Sequence, residues 1–243
     1  MSDIRWEKAE DTFLEHFCEI EKGKLFSTYL WKDGGNWGKF NFTRVYSETD
    51  SEKKLKSIIN DVKNSFKEVD KTLSLKANFN LDRFDFLEEA GIPIVSMIIP
   101  RQESETKLER ASFIKCKDHQ SIVDWWTVNS DGRDRTGASP LFPVIEKIAL
   151  ADDNELFMIE KEGENVACGA ISHYENSFNL WGLATCKAHQ RQGYMKALIN
   201  YVCDANDCKD FTVQVNLDSE SWKYFDKIKG REVINTERRY IEK

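Results

Sequence analysis

The sequence predicts a mixed α/β (α+β) protein with a mostly antiparallel sheet and flanking helices. Three observations carry that expectation. Over the C-terminal part, apolar segments of period two and of period 3.6 follow one another in the order β-α-α-β-β-β-α-β-α-β. Two hairpin connections in succession, at 162–165 and at Asn176-Ser177, join three strands there. A glycine-containing turn at 190–195 then separates a strand from a helix of a strand-helix-strand crossover.

In chain order, residues 39–46 alternate Phe40, Phe42 and Tyr46 as a strand. Residues 52–69 form an amphipathic helix with Leu55, Ile58, Ile59, Val62, Phe66 and Val69 on one stripe. A strand is expected at 72–79, a helix at 81–90 closed by Gly91, and a strand at 92–99 ended by Pro100. Residues 101–107 read as a polar linker, which sets domain boundaries at 1–105 and 106–243.

The C-terminal part opens with a short strand at 110–117 and a helix at 119–129 with Ile122, Val123, Trp126 and Val128 apolar. A turn-rich loop at 131–137 leads to a helix at 140–150, with Pro140 near its first turn. Strands follow at 156–161, 166–174 and 178–185. After the Gly193 turn a helix runs to about Asp207, with Met195, Leu198, Ile199 and Val202 at helical spacing. Phe211, Val213 and Val215 alternate as a strand, Asp218 is expected to cap a helix ending near Gly230, and 232–241 closes as a strand.

With 243 residues, 40% hydrophobic and 32% charged, the chain can bury a sizeable core. Its longest apolar runs are far too short to span a bilayer, and residues 1–10 are polar, so neither a membrane nor an export signal is expected. The six cysteines form no framework and no metal-ligand spacing; they read as reduced cytoplasmic thiols. A net charge of −7 argues against nucleic acid as the partner and mildly favours an amine or basic peptide.

The chemistry is carried by Gln190-Arg191-Gln192-Gly193-Tyr194-Met195. A glycine turn at a helix start presents backbone N–H groups and the positive end of the helix dipole, which together bind phosphate. The stretch resembles the acyl-CoA pyrophosphate loop of GNAT acyltransferases, written Gln/Arg-x-x-Gly-x-Gly/Ala. Gln190 and Gly193 match, and Met195 departs from the small residue usual at the last place. The element order over residues ~108–243 resembles the GNAT fold as well. This resemblance implies acetyl-CoA as co-substrate, a primary amine as acceptor and no metal. It implies loop contacts from Gln190, Arg191, Gln192, Gly193, Tyr194, Met195 and Lys196. It also implies pairing of pantetheine with the backbone of Leu183, Ala184 and Thr185.

Attack of an amine on a thioester needs a base, and departure of the thiolate needs an acid. The resemblance places the acid in the last helix, in a motif Asn-x-x-Ala-x-x-Leu-Tyr. The corresponding stretch here starts at Asp218 and puts Phe225 where the tyrosine is expected, with Tyr224 one place earlier. One residue turns a helical side chain by about 100°, so Tyr224 does not simply substitute. Base candidates are His173 and Glu175, with Glu146 and Asp124 as further carboxylates. Trp125, Trp126 and Trp181 are either core or the wall of an acceptor pocket.

The N-terminal half repeats the run strand-helix-strand-helix-Gly-strand, with Phe86 matching Phe225. It reads either as a degenerate GNAT-like unit, giving a tandem pair, or as a generic α/β half. Its connection at 47–51 has no glycine and two acids, which disfavours a second pyrophosphate. Such a unit would shape the acceptor cleft or a homodimer. The rivals to an N-acetyltransferase are a non-catalytic acyl-CoA-binding protein of the same fold and a transferase for longer acyl chains.

Overall fold

The computed structural model describes residues 5–32, 41–46, 51–77, 79–101, 108, 111–132, 141–174 and 177–243. They divide into two compact units. The first comprises Met1–Phe13, Ile98–Gln214 and Ile228–Glu232, and the second Leu14–Met97, Val215–Lys227 and Val233–Lys243.

In the first unit, β7 (Ala111–Cys116), β8 (Asn154–Lys161), β9 (Glu164–Tyr174) and β10 (Ser177–Thr185) are antiparallel neighbours. β11 (Asp210–Asn216) adds to β10 in parallel through Asn179↔Thr212 and Leu180↔Val213. A parallel pair needs a crossover, and α5 (Tyr194–Ala205) supplies it. The expected hairpins and crossover are therefore present.

On the sheet lie α3 (His119–Asp131) and α4 (Phe142–Ala149). α3 starts where it does because Asp118 and Ser121 form a reciprocal capping box. It buries Ile122, Trp125, Val128 and Asn129 in a core with Leu156, Met158, Ala170 and Ala184. Pro140, the expected first-turn proline of α4, lies outside the described residues; Pro143 occupies the first turn instead. Expected boundaries elsewhere in this unit hold to within two or three residues.

The second unit carries a sheet in the order β1 (Glu19–Lys22), β2 (Phe26–Leu30), β3 (Phe42–Val45), β4 (Leu75–Ala77) and β12 (Glu232–Glu242). β3 and β4 are parallel, and α2 (Glu52–Glu68) crosses between them, burying Leu55, Ile58, Ile59, Val62 and Phe66 as its stripe predicts. β5 (Leu87–Glu89) also pairs with β12. β6 (Ile94–Pro100) is divided between the units after Met97. α1 (Arg5–Glu15), β1 and β2 occupy a stretch for which the sequence patterning yields no element.

Two expectations are corrected in this unit. Residues 81–90 are not a helix. Leu81, Phe84 and Leu87 are buried at spacing three by successive turns, in which Leu81 O accepts from Phe84 N–H and Phe84 O from Leu87 N–H. Leu87–Glu89 then joins the sheet, and tertiary pairing with Tyr240 and its neighbours outweighs the helical propensity of the segment. The helix matching Phe86 with Phe225 therefore has no counterpart. The last helix, α6 (Glu220–Phe225), is capped by Ser219, whose hydroxyl accepts the Trp222 N–H at 3.0 Å. Asp218 is not the cap; it sits outside the helix at φ +61°.

Candidate active site

β10 and β11 are paired at Leu180↔Val213, yet β10 continues to Thr185. A β-bulge follows at once. Trp181 faces Ala170 and Ala184 faces Cys168, so Gly182 and Leu183 together oppose Gly169. Gly182 takes φ +62°, and a Cβ there would stand 2.7 Å from the Trp125 ring. The position therefore needs glycine for conformation and for space. Gly169 accommodates the bulge from the other strand, since a Cβ on it would meet Leu183 Cδ2 at 2.7 Å.

After β10 comes a 3-10 turn, Lys187–His189, and then the Gly193 turn. Gln190 donates from Nε2 to Thr185 O at 3.3 Å, and Gln192 from Nε2 to Ala188 O at 3.3 Å. Asp131 Oδ2 accepts the Lys187 N–H at 3.0 Å, tying the end of α3 to the same turn. Gly132 lies so close that a Cβ would sit 2.8 Å from Thr185 O.

Gly193 is the N-cap of α5 in the left-handed region, φ +86°, with no side chain to cap the helix. The first intrahelical bond is Ala197 N–H to Gly193 O, so the N–H groups of Tyr194, Met195 and Lys196 precede it. Arg191 and Gln192 are exposed, Met195 and Lys196 half-buried. Tyr194 is buried and anchors the first turn, with the Lys161 ammonium 5.7 Å from its ring centre. An uncapped helix start behind a glycine turn is an anion-binding arrangement. α2 differs: Ser51 caps its N-terminus, accepting the Lys54 N–H at 3.3 Å. Residues 47–50 of that connection lie outside the described residues.

His173 stands near the end of β9, opposite Phe178, whose ring it meets edge-on at 5.2 Å. Its Nε2 is buried without a hydrogen-bond partner among the described residues. Burial lowers its pKa, and Lys115 adds to that effect, against the opposing influence of Glu155 and Asp153. The ring is therefore neutral at neutral pH, the form able to accept a proton. Glu175 lies outside the described residues. Glu146 is occupied by His119, 2.5 Å from its Nδ1, and Asp124 accepts from Gln120.

Trp125 and Trp181 meet edge-on at 5.9 Å, and Phe13 lies 4.9 Å from Trp181. Trp125 is core; Trp181 is half-buried, with its Nε1–H donated to Ser172 Oγ at 2.8 Å. In the second unit, Tyr224 is 36% exposed whereas Phe225 is buried. That difference matches the angular offset expected between adjacent helical residues. Burial of its ring raises the Tyr224 pKa.

Asn129, Gly132, Gly169 and Gly182 shape this place without having been legible as site residues. A glycine inside a strand pattern is a bulge signal, and Gly182 carries it.

The family model for the acetyltransferase (GNAT) family matches residues 119–229. No curated protein matches the sequence. A functionally unknown conserved protein from Staphylococcus epidermidis superposes with a TM-score of 0.75 at 13% identity, covering 96% of each chain. A GCN5-related N-acetyltransferase from Kribbella flavida gives 0.71 at 12% identity, covering 98% of this chain and 94% of its own. A tandem GNAT protein from the clavulanic acid biosynthesis pathway gives 0.61 at 10% identity, covering 96% and 86%. At such identities the likeness concerns the fold, which is that of a GNAT protein over nearly the whole chain.

Proposed function

We propose, from the match of residues 119–229 to the acetyltransferase (GNAT) family model, that this protein transfers an acetyl group from acetyl-CoA to a primary amine of a small molecule or peptide. The observation that carries the proposal is the uncapped Gly193 helix start, set directly behind a strand whose pairing with its parallel neighbour stops early. The pyrophosphate takes the N–H groups between Gly193 and Lys196, with Arg191 and Lys196 adding positive charge. Pantetheine lies against the backbone of Leu183, Ala184 and Thr185, as an added strand would. Gln190 holds the loop to Thr185.

In the proposed reaction His173 accepts the proton of the acceptor ammonium, which frees the nitrogen lone pair. The nitrogen forms a bond to the thioester carbon and gives up its second proton, the carbon–sulfur bond breaks, and the thiolate takes one proton, so that a single net proton, the one on His173, passes to solvent. Solvent is the donor expected for the thiolate's proton, Tyr224 is the protein group to be tested against it, and Glu175 is the alternative base. A tyrosine with a raised pKa keeps its proton through neutral pH, as a donor must. The reaction uses no metal.

We propose that residues 1–105 descend from a second GNAT-like unit that does not bind cofactor, and that 106–243 form the transferase. The side-chain cap on α2 supports this, because Ser51 takes a helix N–H that a phosphate would need. The protein is proposed to act in the cytoplasm, without nucleic acid or membrane as a partner; a homodimer would place the N-terminal unit at an interface.

Release of free CoA from acetyl-CoA, screened across amines and peptides, tests the activity. A second reading, a non-catalytic acyl-CoA-binding protein, is favoured by Phe225 at the tyrosine position. Acetyl-CoA binding without turnover on any acceptor would select it.

A further inference from the structure

A β-bulge interrupts the ladder between β9 and β10, and the carbonyls at the interruption need other donors. Gly169 and Gly182 are the residues concerned. Two side chains from one face of α3 supply the nitrogen donors, and the Cys168 thiol adds a weaker one to Gly182 O at 3.7 Å. Trp125 Nε1–H donates to Gly169 O at 2.9 Å, and Asn129 Nδ2–H to Gly182 O at 2.5 Å. They stand four residues apart, one helical turn, which places both on the same face. Asn129 is buried, 3% exposed, and its amide also lies 3.7 Å from Cys168 Sγ. A peptide unit is planar and trans, so its N–H points opposite to its C=O. Holding the Gly182 carbonyl towards α3 therefore also sets the direction of the Leu183 N–H. Glycine adopts the φ of +62° at Gly182 without strain, so no side-chain sterics fix this peptide and its direction rests on its hydrogen bonds.

We propose that Asn129 is a positioning residue for the donor substrate: it fixes the Gly182–Leu183 peptide, and through it the β10 backbone that receives pantetheine. This rests on the proposed acetyl-CoA site. The inference separates two parts of the ligand. The phosphates are held by the Gly193 turn, which is tied to Asp131, Thr185 and Ala188. The pantetheine and acetyl groups lie along β10, which Asn129 shapes.

The test is calorimetric titration of the full-length protein, of Asn129→Ala and of Asn129→Asp with two probes. One is acetyl-CoA; the other is 3′-phosphoadenosine 5′-diphosphate, which has the phosphates and lacks pantetheine. The aspartate variant keeps the shape of the side chain and removes the N–H donor, so it remains informative should the alanine variant fold poorly. Both variants are expected to keep the wild-type affinity for the nucleotide probe. Both are expected to lose affinity for acetyl-CoA and, with an accepted amine, to lose roughly 10²-fold in kcat/KM, the scale of a small misplacement of a reacting group. A merely structural role would weaken both probes alike, and that result overturns the inference. Unchanged acetyl-CoA binding and turnover in a folded variant also overturns it. If the wild type binds neither probe, the proposed function fails, and this inference with it.

Discussion

Gln190 reaches back from the glycine turn to the end of β10, its Nε2–H donating to Thr185 O at 3.3 Å. The same junction is held by Asp131 on the Lys187 N–H at 3.0 Å and by Val166 O on the Cys186 N–H at 2.9 Å. A turn tied at three points presents its amides in one arrangement before any ligand arrives. Such preorganisation lowers the ordering cost of binding.

The first prediction follows from this turn. Saturating acetyl-CoA should stabilise the wild type by about 2.7 kcal/mol at a hundredfold excess over Kd. Gly193→Glu should abolish that gain, because it places a carboxylate beside the phosphates and a side chain at φ +86°. Thermal melts with and without acetyl-CoA measure it. A variant that folds and keeps the full shift would remove the turn as the binding site.

His173 should matter in two ways. His173→Gln should lower kcat by roughly 10²–10⁴-fold, the scale of a lost general base. It should also change the stability–pH curve. The folded-state pKa lies below the ordinary 6.5, so the unfolded chain takes the proton first. The stability linked to this group is therefore complete above pH 6.5 and is lost as pH falls below it. Urea unfolding across pH 5–7.5 should show the wild type losing stability relative to the glutamine variant only on the acid side. Parallel curves would contradict the assignment.

Tyr224→Phe keeps the ring and removes the hydroxyl. If Tyr224 donates the proton to the thiolate, kcat should fall roughly 10²–10⁴-fold and the basic limb of the pH–rate profile should vanish. Because Tyr224 is turned away from the direction of Phe225, the expected outcome is a small change, with solvent as the donor. A large loss in a folded, acetyl-CoA-binding variant would assign the acid to Tyr224.

The second unit holds a buried ionic cluster. Arg44 Nε lies 2.9 Å from Glu237 Oε1, and Lys76 Nζ 3.6 Å from Glu237 Oε2, with all three side chains buried. Two cations share this carboxylate, which β12 brings to β3 and β4. Glu237→Gln should destabilise the protein by about 3–5 kcal/mol, the cost of removing one partner from a buried pair. Denaturant unfolding followed by circular dichroism measures this. A loss under about 1 kcal/mol would show the cluster to be solvated.

Much of this protein is written in local pattern. The stripe Leu55–Phe66 gives α2, apolar spacing from Ile122 to Val128 gives α3, and alternation gives β8, β9 and β10. The glycine turn is legible too, because Gly193 must adopt a left-handed conformation just where two periodicities meet. These features depend on neighbours in sequence, and sequence alone states them.

What only the tertiary structure decides depends on partners far along the chain. Residues 81–90 carry a helical pattern and become turns and a strand, because Tyr240 and its neighbours offer sheet pairing that no local signal announces. The end of the chain, β12, joins the β3–β4 sheet, where Glu237 meets Arg44 across 193 residues. The bulge at Gly182 is supported by Asn129, 53 residues earlier. Sequence alone determined which segments are helices and strands over most of 108–216 and where a glycine turn opens a helix. The tertiary structure decided the register, the bulge and the buried polar partners. Local propensity acts over a few residues, whereas burying a carbonyl or a charge obliges the chain to find its partner wherever the fold has brought one.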